Sequence, residues 1–487
     1  MNATRRSFLR LGGLAALAAA ATGCETLEQR FTQVDLPDDA LATGTWKNAS
    51  PAVRLLQRAG YGPGPGDVAH VEKIGHAAYI EEQLAAETIK ESRLLVLRLR
   101  SLVDILDPDT GLLFDSDDNR LVTALRQSTV LRSVYSRKQL YERNVEFWSD
   151  HFNIYAFKGQ GPQLKVVDDQ VSIRSHAFGA FRDMLGSSAR SAAMLGYLDN
   201  GVNRRGVPNE NYARELMELH TLGVHGGYTQ RDVREVARCL TGWTAEKHWH
   251  RGRFLFDPDA HDDGPKVVLG HTIPAGGGIH DGEQVLDIVA NHPATARHIA
   301  TKMCAFYLGH APGNVVNDVA ATYTRTAGSI RDMLRALLTE RNLAGAAPIF
   351  KRPYDYVVSA MRALDCDTDG GRGVQSHLES MGQLPFAWPM PNGYPLQERS
   401  WVGGLVPRWN FALALLGDQI DNSRVDTEKL RGLAAAQNIA ISDALLRLAF
   451  GSADDAAYAP LKRTLEARSD SREAAAVLLM SPHFQWR

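Results

Sequence analysis

The chain has 487 residues, 44% hydrophobic and 23% charged, with 42 glycines and 21 prolines. That composition excludes a disordered chain, a collagen-like repeat and a small disulfide scaffold, and the length is ample for a large core. Lys and Arg number 54 against 56 Asp and Glu. So even a balance carries no electrostatic footprint for nucleic acid, and none is expected as a partner.

The first 24 residues read as an export signal. Thr4-Arg5-Arg6-Ser7-Phe8-Leu9-Arg10 precedes an uncharged stretch, Leu11 to Ala21, that is too short to span a bilayer. Paired arginines followed by Phe-Leu match the twin-arginine type. Ala21-Thr22-Gly23-Cys24 resembles a lipobox with Ala where Leu is usual. Lipidation of Cys24 is favoured, with ordinary cleavage near Ala18–Ala21 as the alternative. A lipidated Cys24 would hold the protein on a membrane surface of the periplasm or cell envelope without spanning it. Removal of residues 1–23 takes three arginines and no acid, moving the formal net charge from −2 to −5.

Residues 25–45 read as a polar tether, and 46–487 as one large, mainly α-helical domain. Pro51 opens a helix with Ser50 as its N-cap. Helical periodicity then covers roughly 66–105, 119–158, 167–198, 209–222, 229–243, 281–311, 314–340, 350–365, 407–418, 425–451 and 472–482. Thr229 and Asp232 form a capping-box variant. Arg251–Phe256 and Lys266–Ile273 predict a small β-hairpin insertion, or two short strands, near 251–273. Gln383 to Gly404 is irregular and rich in Pro, Gly and Trp. Cys239, Cys304 and Cys366 read as buried free thiols.

Candidate chemistry concentrates in three stretches. In Asn209–Gly223 the helical wheel puts Tyr212, Leu216 and Leu219 on the apolar face, with Arg214 and Glu218 opposite as an i,i+4 pair. Glu215 and His220 fall inside or beside the apolar arc, where an unpaired charge is costly. Either they line a polar pocket, or Glu215 meets a structural Arg and His220 is a satisfied core histidine. In Phe147–Asn153, His151 shares a stripe with Asn144, Phe147 and Tyr155, while Asp150 faces away with Arg143. The third stretch is rich in histidine: His220, His225, His248, His250, His261, His271 and His280. Within it, Asp257–Asp263 collects oxygen and nitrogen donors. Asp257 and His261, joined by Glu215, are the candidate ligands of a divalent metal. Asp365–Gly370 looks like the front half of a calcium loop, but Ser376 stands where its bidentate Glu belongs.

Several segments together resemble a known bacterial family catalogued as domain of unknown function 1800. They are Asn209–Gly223 itself, Tyr228-Thr229-Gln230 with Asp232-Val233, Leu240-Thr241-Gly242-Trp243, and Phe147-Trp148 with His151-Phe152. Phe256-Asp257 with His261-Asp262, His292–Ala296, Gly382-Gln383 leading to Gly393-Tyr394-Pro395, and Leu479–Gln485 agree as well. The resemblance runs from about Ala52 to the C-terminus. It implies an exported, mostly helical protein and carries over no reaction. It also implies a co-exported companion resembling the sulfatase and phosphatase superfamily.

Two functions follow as expectations. One is an enzyme in which Glu215, His220, His151, Asp257 and His261 converge, with Glu215 or His151 as general base in a metal-assisted hydrolysis. The other is a non-catalytic binding or assembly partner using Pro385 to Trp409 as its surface.

Overall fold

The computed structural model describes residues 49–246, 252–453 and 456–487. The export signal, the tether, Arg251, His248 and His250 lie outside the described residues. Among the described residues the fold is mainly α, with 24 α-helices and three two-stranded antiparallel sheets.

Local sequence signals place many helix ends. Ser50 Oγ accepts the Val53 amide at 3.3 Å ahead of the helix Pro51–Ala59. Thr229 and Asp232 form the reciprocal capping box of the helix Gln230–Cys239. The long periodic stretches are subdivided at points that the polar groups explain. The stretch 119–158 becomes Asp118–Tyr135 and Gln139–His151. The break falls at Ser136, whose hydroxyl donates to Glu91 at 2.8 Å. The stretch 281–311 becomes Ile279–Ala290 and Pro293–Leu308, because Pro293 forces His292 into an extended conformation.

The β insertion is two hairpins. Trp243–Ala245 pairs with Phe254–Phe256, and Lys266–Val268 with His271–Ile273. Trp243, expected at the end of a helix, therefore begins a strand; the helix stops at Cys239.

Two large apolar cores result. One gathers Phe147, Trp148, Phe152, Phe181, Leu216, Met217, Trp243, Met303 and Tyr307. The other gathers Tyr356, Val357, Met361, Phe411, Leu445, Leu478 and Phe484. Val130 and Val134 of the helix Asp118–Tyr135 enter the second. The three described cysteines are buried free thiols, each pushed up to about 12 by burial. No single helix among the described residues is long and apolar enough to cross a membrane.

The irregular segment after Gln383 is pinned through its own carbonyls. Arg126 donates to Pro385 O at 2.9 Å, Asn153 to Met390 O at 2.7 Å and Tyr197 to Pro389 O at 2.7 Å. A Cβ at Gly393, whose φ is +73°, would stand 2.2 Å from Asp150 O, so only glycine admits this approach.

Candidate functional site

The stretch 209–222 is not one regular helix. An α-helix, Asn211–Glu215, passes into a π-helical turn, Leu216–His220. The wider turn breaks the 100° wheel. Arg214 accordingly pairs backwards with Glu210 at 3.0 Å, and not forwards with Glu218. The turn also leaves its last carbonyls without intrahelical donors. Two imidazoles supply them. His298 Nε2 lies 3.1 Å from Leu219 O, and His151 Nε2 lies 3.0 Å from His220 O. Gly223 closes the turn at φ +81°, and a Cβ there would stand 2.7 Å from His298 Nδ1.

This arrangement brings His151 and His220 together, with ring centroids 6.0 Å apart, and His298 6.4 Å from His151. His151 is buried, stacked near-parallel on Phe147 and edge-on to Phe152. Burial, reinforced by the Lys302 ammonium, holds all three imidazoles neutral. His151 sits well below its usual range, His220 at about 3 and His298 at about 4. A carbonyl oxygen only accepts, so the proton of His151 is on Nε2 and that of His298 on its Nε2. The lone pair of His151 then falls on Nδ1, which has no partner among the described residues, and neither ring nitrogen of His220 has one there.

Lys302 lies one turn beyond His298 on the helix Pro293–Leu308 and is half-buried. Its Nζ makes no hydrogen bond or ion pair to a described residue. Burial pulls its amine down to about 8, opposed by the charge of Asp150. Burial pushes the Asp150 carboxyl up to about 6, against the pull of Arg352, which donates to it at 2.9 Å.

Behind Asp150 lies a buried ionic network. Arg352 also bonds Glu146, and Asp355 takes Arg143 and, at 3.4 Å, Arg487. Burial alone would raise the Asp355 carboxyl; Arg143, Arg487 and Arg352 overcome it and hold the group well below the usual carboxylate range. Asp150, Ser149, Glu146, Tyr354 and Tyr394 line a small cleft of about 50 Å³. Arg352, Gly393, Tyr394, Gln397 and Glu398 line an open groove of about 450 Å³. Arg352 thus joins the groove to Asp150.

The expected convergence of five residues is corrected by this geometry. Glu215 is half-buried beside Glu218 and Arg214, and burial, then Glu218, raises its carboxyl. No hydrogen bond or ion pair joins it to His151 or His220. Asp257 is occupied as a cap, its Oδ1 accepting the amides of Asp259 at 3.0 Å and Ala260 at 3.3 Å. His261 is sealed in a third place. Its Nδ1 lies 2.8 Å from Thr241 O, and its Nε2 lies 3.2 Å from Asp281 Oδ2, which also takes Lys266 Nζ. Asp257, His261 and Glu215 therefore do not form one donor set. Among the described residues, no group of three or more His, Cys, Asp or Glu side chains is placed to hold a metal ion. In the calcium-like loop, Asp365 pairs with Lys429 and Asp367 with Arg98, while Asp369 accepts from Gly371 N and Asn422.

Sequence reasoning missed His298, Lys302, Asp281 and Lys266. His298 and Lys302 share a face at i,i+4, yet only the tertiary approach of the π turn gives that face a meaning. The glycines before Asp281 carried a signal, since a Cβ at Gly277 would stand 2.0 Å from Asp281 Oδ1.

The described fold is mainly helical with small hairpins. The chain belongs to the family described as Protein of unknown function (DUF1800), which matches residues 54–486. No curated protein and no solved structure matches it.

Proposed function

We propose that this is an exported cell-envelope protein, anchored through a lipid on Cys24, whose working site is the cluster Asp150, His151, His220, His298 and Lys302. The reaction class is proton transfer within a hydrolytic step. The observation that carries it is that the π turn brings His151, His220 and His298 together, with ring nitrogens of His151 and His220 unpartnered among the described residues, near Asp150, whose carboxyl burial raises to about 6, and Lys302, whose amine burial lowers to about 8. Perturbed acids and bases gathered in one place are what general acid–base chemistry near neutral pH requires. Asp150 in its ionised form serves as base, Lys302 in its charged form as acid, and Arg352, which lines the groove, holds Asp150. Glu215, Asp257 and His261, which lie apart, take no part in this reading.

The test is turnover of chromogenic esters, phosphoesters and glycosides by the purified mature protein, set against Asp150→Asn and Lys302→Met. Loss of turnover in both, with unchanged unfolding midpoints, supports the reading; full turnover in both overturns it.

A second reading, a non-catalytic partner of a co-exported phosphatase- or sulfatase-like protein, is favoured by the groove itself. Residues 392–398 of the irregular segment form one wall of it. Co-purification abolished by Tyr394→Ala and Glu398→Ala, without any turnover, would favour this reading over the first.

A further inference from the structure

The helix Arg93–Arg100 is amphipathic in an unusual sense. Its inward stripe, Leu95, Leu99 and then Leu102, packs against the helix Asp118–Tyr135 through Ala124 and Leu131. Its outward stripe is Arg93, Val96, Leu97 and Arg100, the i, i+3, i+4, i+7 set where a surface helix ordinarily carries only polar groups. Val96 is 58% exposed, Leu97 65% and the following Val103 61%. Five of the sixteen exposed large apolar side chains among the described residues fall between Leu94 and Leu112. Lys90, Arg93 and Arg100 are exposed and form no ion pair with a described residue. Arg98 alone is neutralised, by Asp367. Of the neighbouring acids, Glu87 pairs with Arg331, Glu91 accepts from Ser136 Oγ and the Arg137 amide, and Asp104 follows the helix.

From this face we infer that Arg93–Arg100 rests on an anionic bilayer surface. Leu94, Val96, Leu97 and Val103 enter the headgroup boundary, and Lys90, Arg93 and Arg100 meet lipid phosphates. Apolar side chains interleaved with arginine are what an interfacial helix needs, because insertion and electrostatic attraction add. Chain length permits it. The 24 residues from Glu25 to Asn48 span at most about 80 Å, enough to bring any face of the body to the membrane that holds Cys24. A tether of that reach also gives weak insertion a high effective concentration. The anchoring proposed above contributes only that concentration; the face itself does not depend on it.

The experiment uses the mature chain from Glu25 on, made without lipid, so that failure of the Cys24 anchor cannot mimic failure of the face. It is sedimented with vesicles of phosphatidylcholine alone and with vesicles holding one third phosphatidylglycerol. The expected result is binding to the anionic vesicles that weakens with salt and falls at least tenfold in Val96→Glu/Leu97→Glu and in Arg93→Glu/Arg100→Glu. Leu433→Glu, an exposed apolar position elsewhere, should bind as the unmodified chain does. Absence of binding to anionic vesicles, or equal binding by Val96→Glu/Leu97→Glu, overturns the inference. So does a concentration-dependent dimer in sedimentation velocity that this double variant abolishes, since a second copy would then own the face.

Discussion

His151 Nε2 donates to the main-chain oxygen of His220 at 3.0 Å, while the His220 ring itself has no hydrogen-bond partner at either nitrogen among the described residues. The first imidazole is held by the π turn, and the second is carried by it into an apolar surround. A buried polar ring with nothing to bond is a liability for folding, and such liabilities persist where function requires them.

His220→Leu separates the two roles. Removing unpartnered nitrogens relieves their desolvation cost, so stability at pH 7 should stay within about 1 kcal/mol of the unmodified protein or exceed it. Turnover should fall by about 10²-fold or more. Urea unfolding and the chromogenic assay check the pair. A large loss of stability would mark His220 as a packing residue only.

Acid should destabilise the protein in a defined window. The three imidazoles have folded pKa values below 6.5, so the unfolded chain binds more protons as pH falls. Their stabilising contribution is whole above pH 6.5 and is lost on the way down towards 4 and 3. Asp150 acts oppositely, because its folded pKa is raised from 3.8 to about 6. Its contribution is present below about pH 4 and lost as pH rises through 6. Three groups outweigh one, so unfolding midpoints should drop steadily between pH 6.5 and 4. Each net proton is worth about 1.4 kcal/mol per pH unit, and His220→Leu should remove about one proton's share of that slope.

The Asp281–Lys266–His261 cluster is a structural clamp on the second hairpin, and it answers differently. All three side chains are at most 1% exposed. Lys266→Met leaves the Asp281 charge buried without its closest partner and should cost about 3–5 kcal/mol. Lys266→Met with Asp281→Leu should recover much of that loss. Thermal unfolding of the single and double variants decides the point.

Export can be tested without any assay of activity. Arg5→Lys with Arg6→Lys should retain the precursor in the cytoplasm. Intact mass of the exported unmodified chain should show an N-terminus at Cys24 carrying acyl groups. A mature chain beginning near Ala18–Ala21 would replace the lipid anchor with ordinary cleavage.

Legibility in the sequence followed the range of the interaction. Ser50 with Val53 and Thr229 with Asp232 act within one helical turn, so their residue types suffice. The buried thiols and the irregular stretch after Gln383 were equally readable from composition. The site was half readable. His151 and His220 stood out because imidazoles on apolar faces are costly. Their companions His298 and Lys302 lie about 80 residues beyond His220 and about 150 beyond His151, in a helix whose pattern is otherwise ordinary. Glu215 does fall at the edge of the apolar arc, half-buried, but it precedes the turn that widens at Leu216 and stays with Arg214 and Glu218 instead of following His220. Asp257 and His261 carried metal-like residue types, but their oxygens and nitrogens are spent on Asp259, Ala260, Thr241 and Asp281.

The most direct measurement is the titration of Lys302 in protein carrying ¹³C at the lysine ε-carbons. Two lysine signals should titrate low, Lys351 near 7 and Lys302 near 8; the second should be absent in Lys302→Arg and move lower still in Asp150→Asn because the opposing carboxylate is gone. If Lys302, the one lysine of the helix Pro293–Leu308, titrates above pH 10 and Asp150→Asn does not shift it, Asp150 and Lys302 are not an acid–base pair.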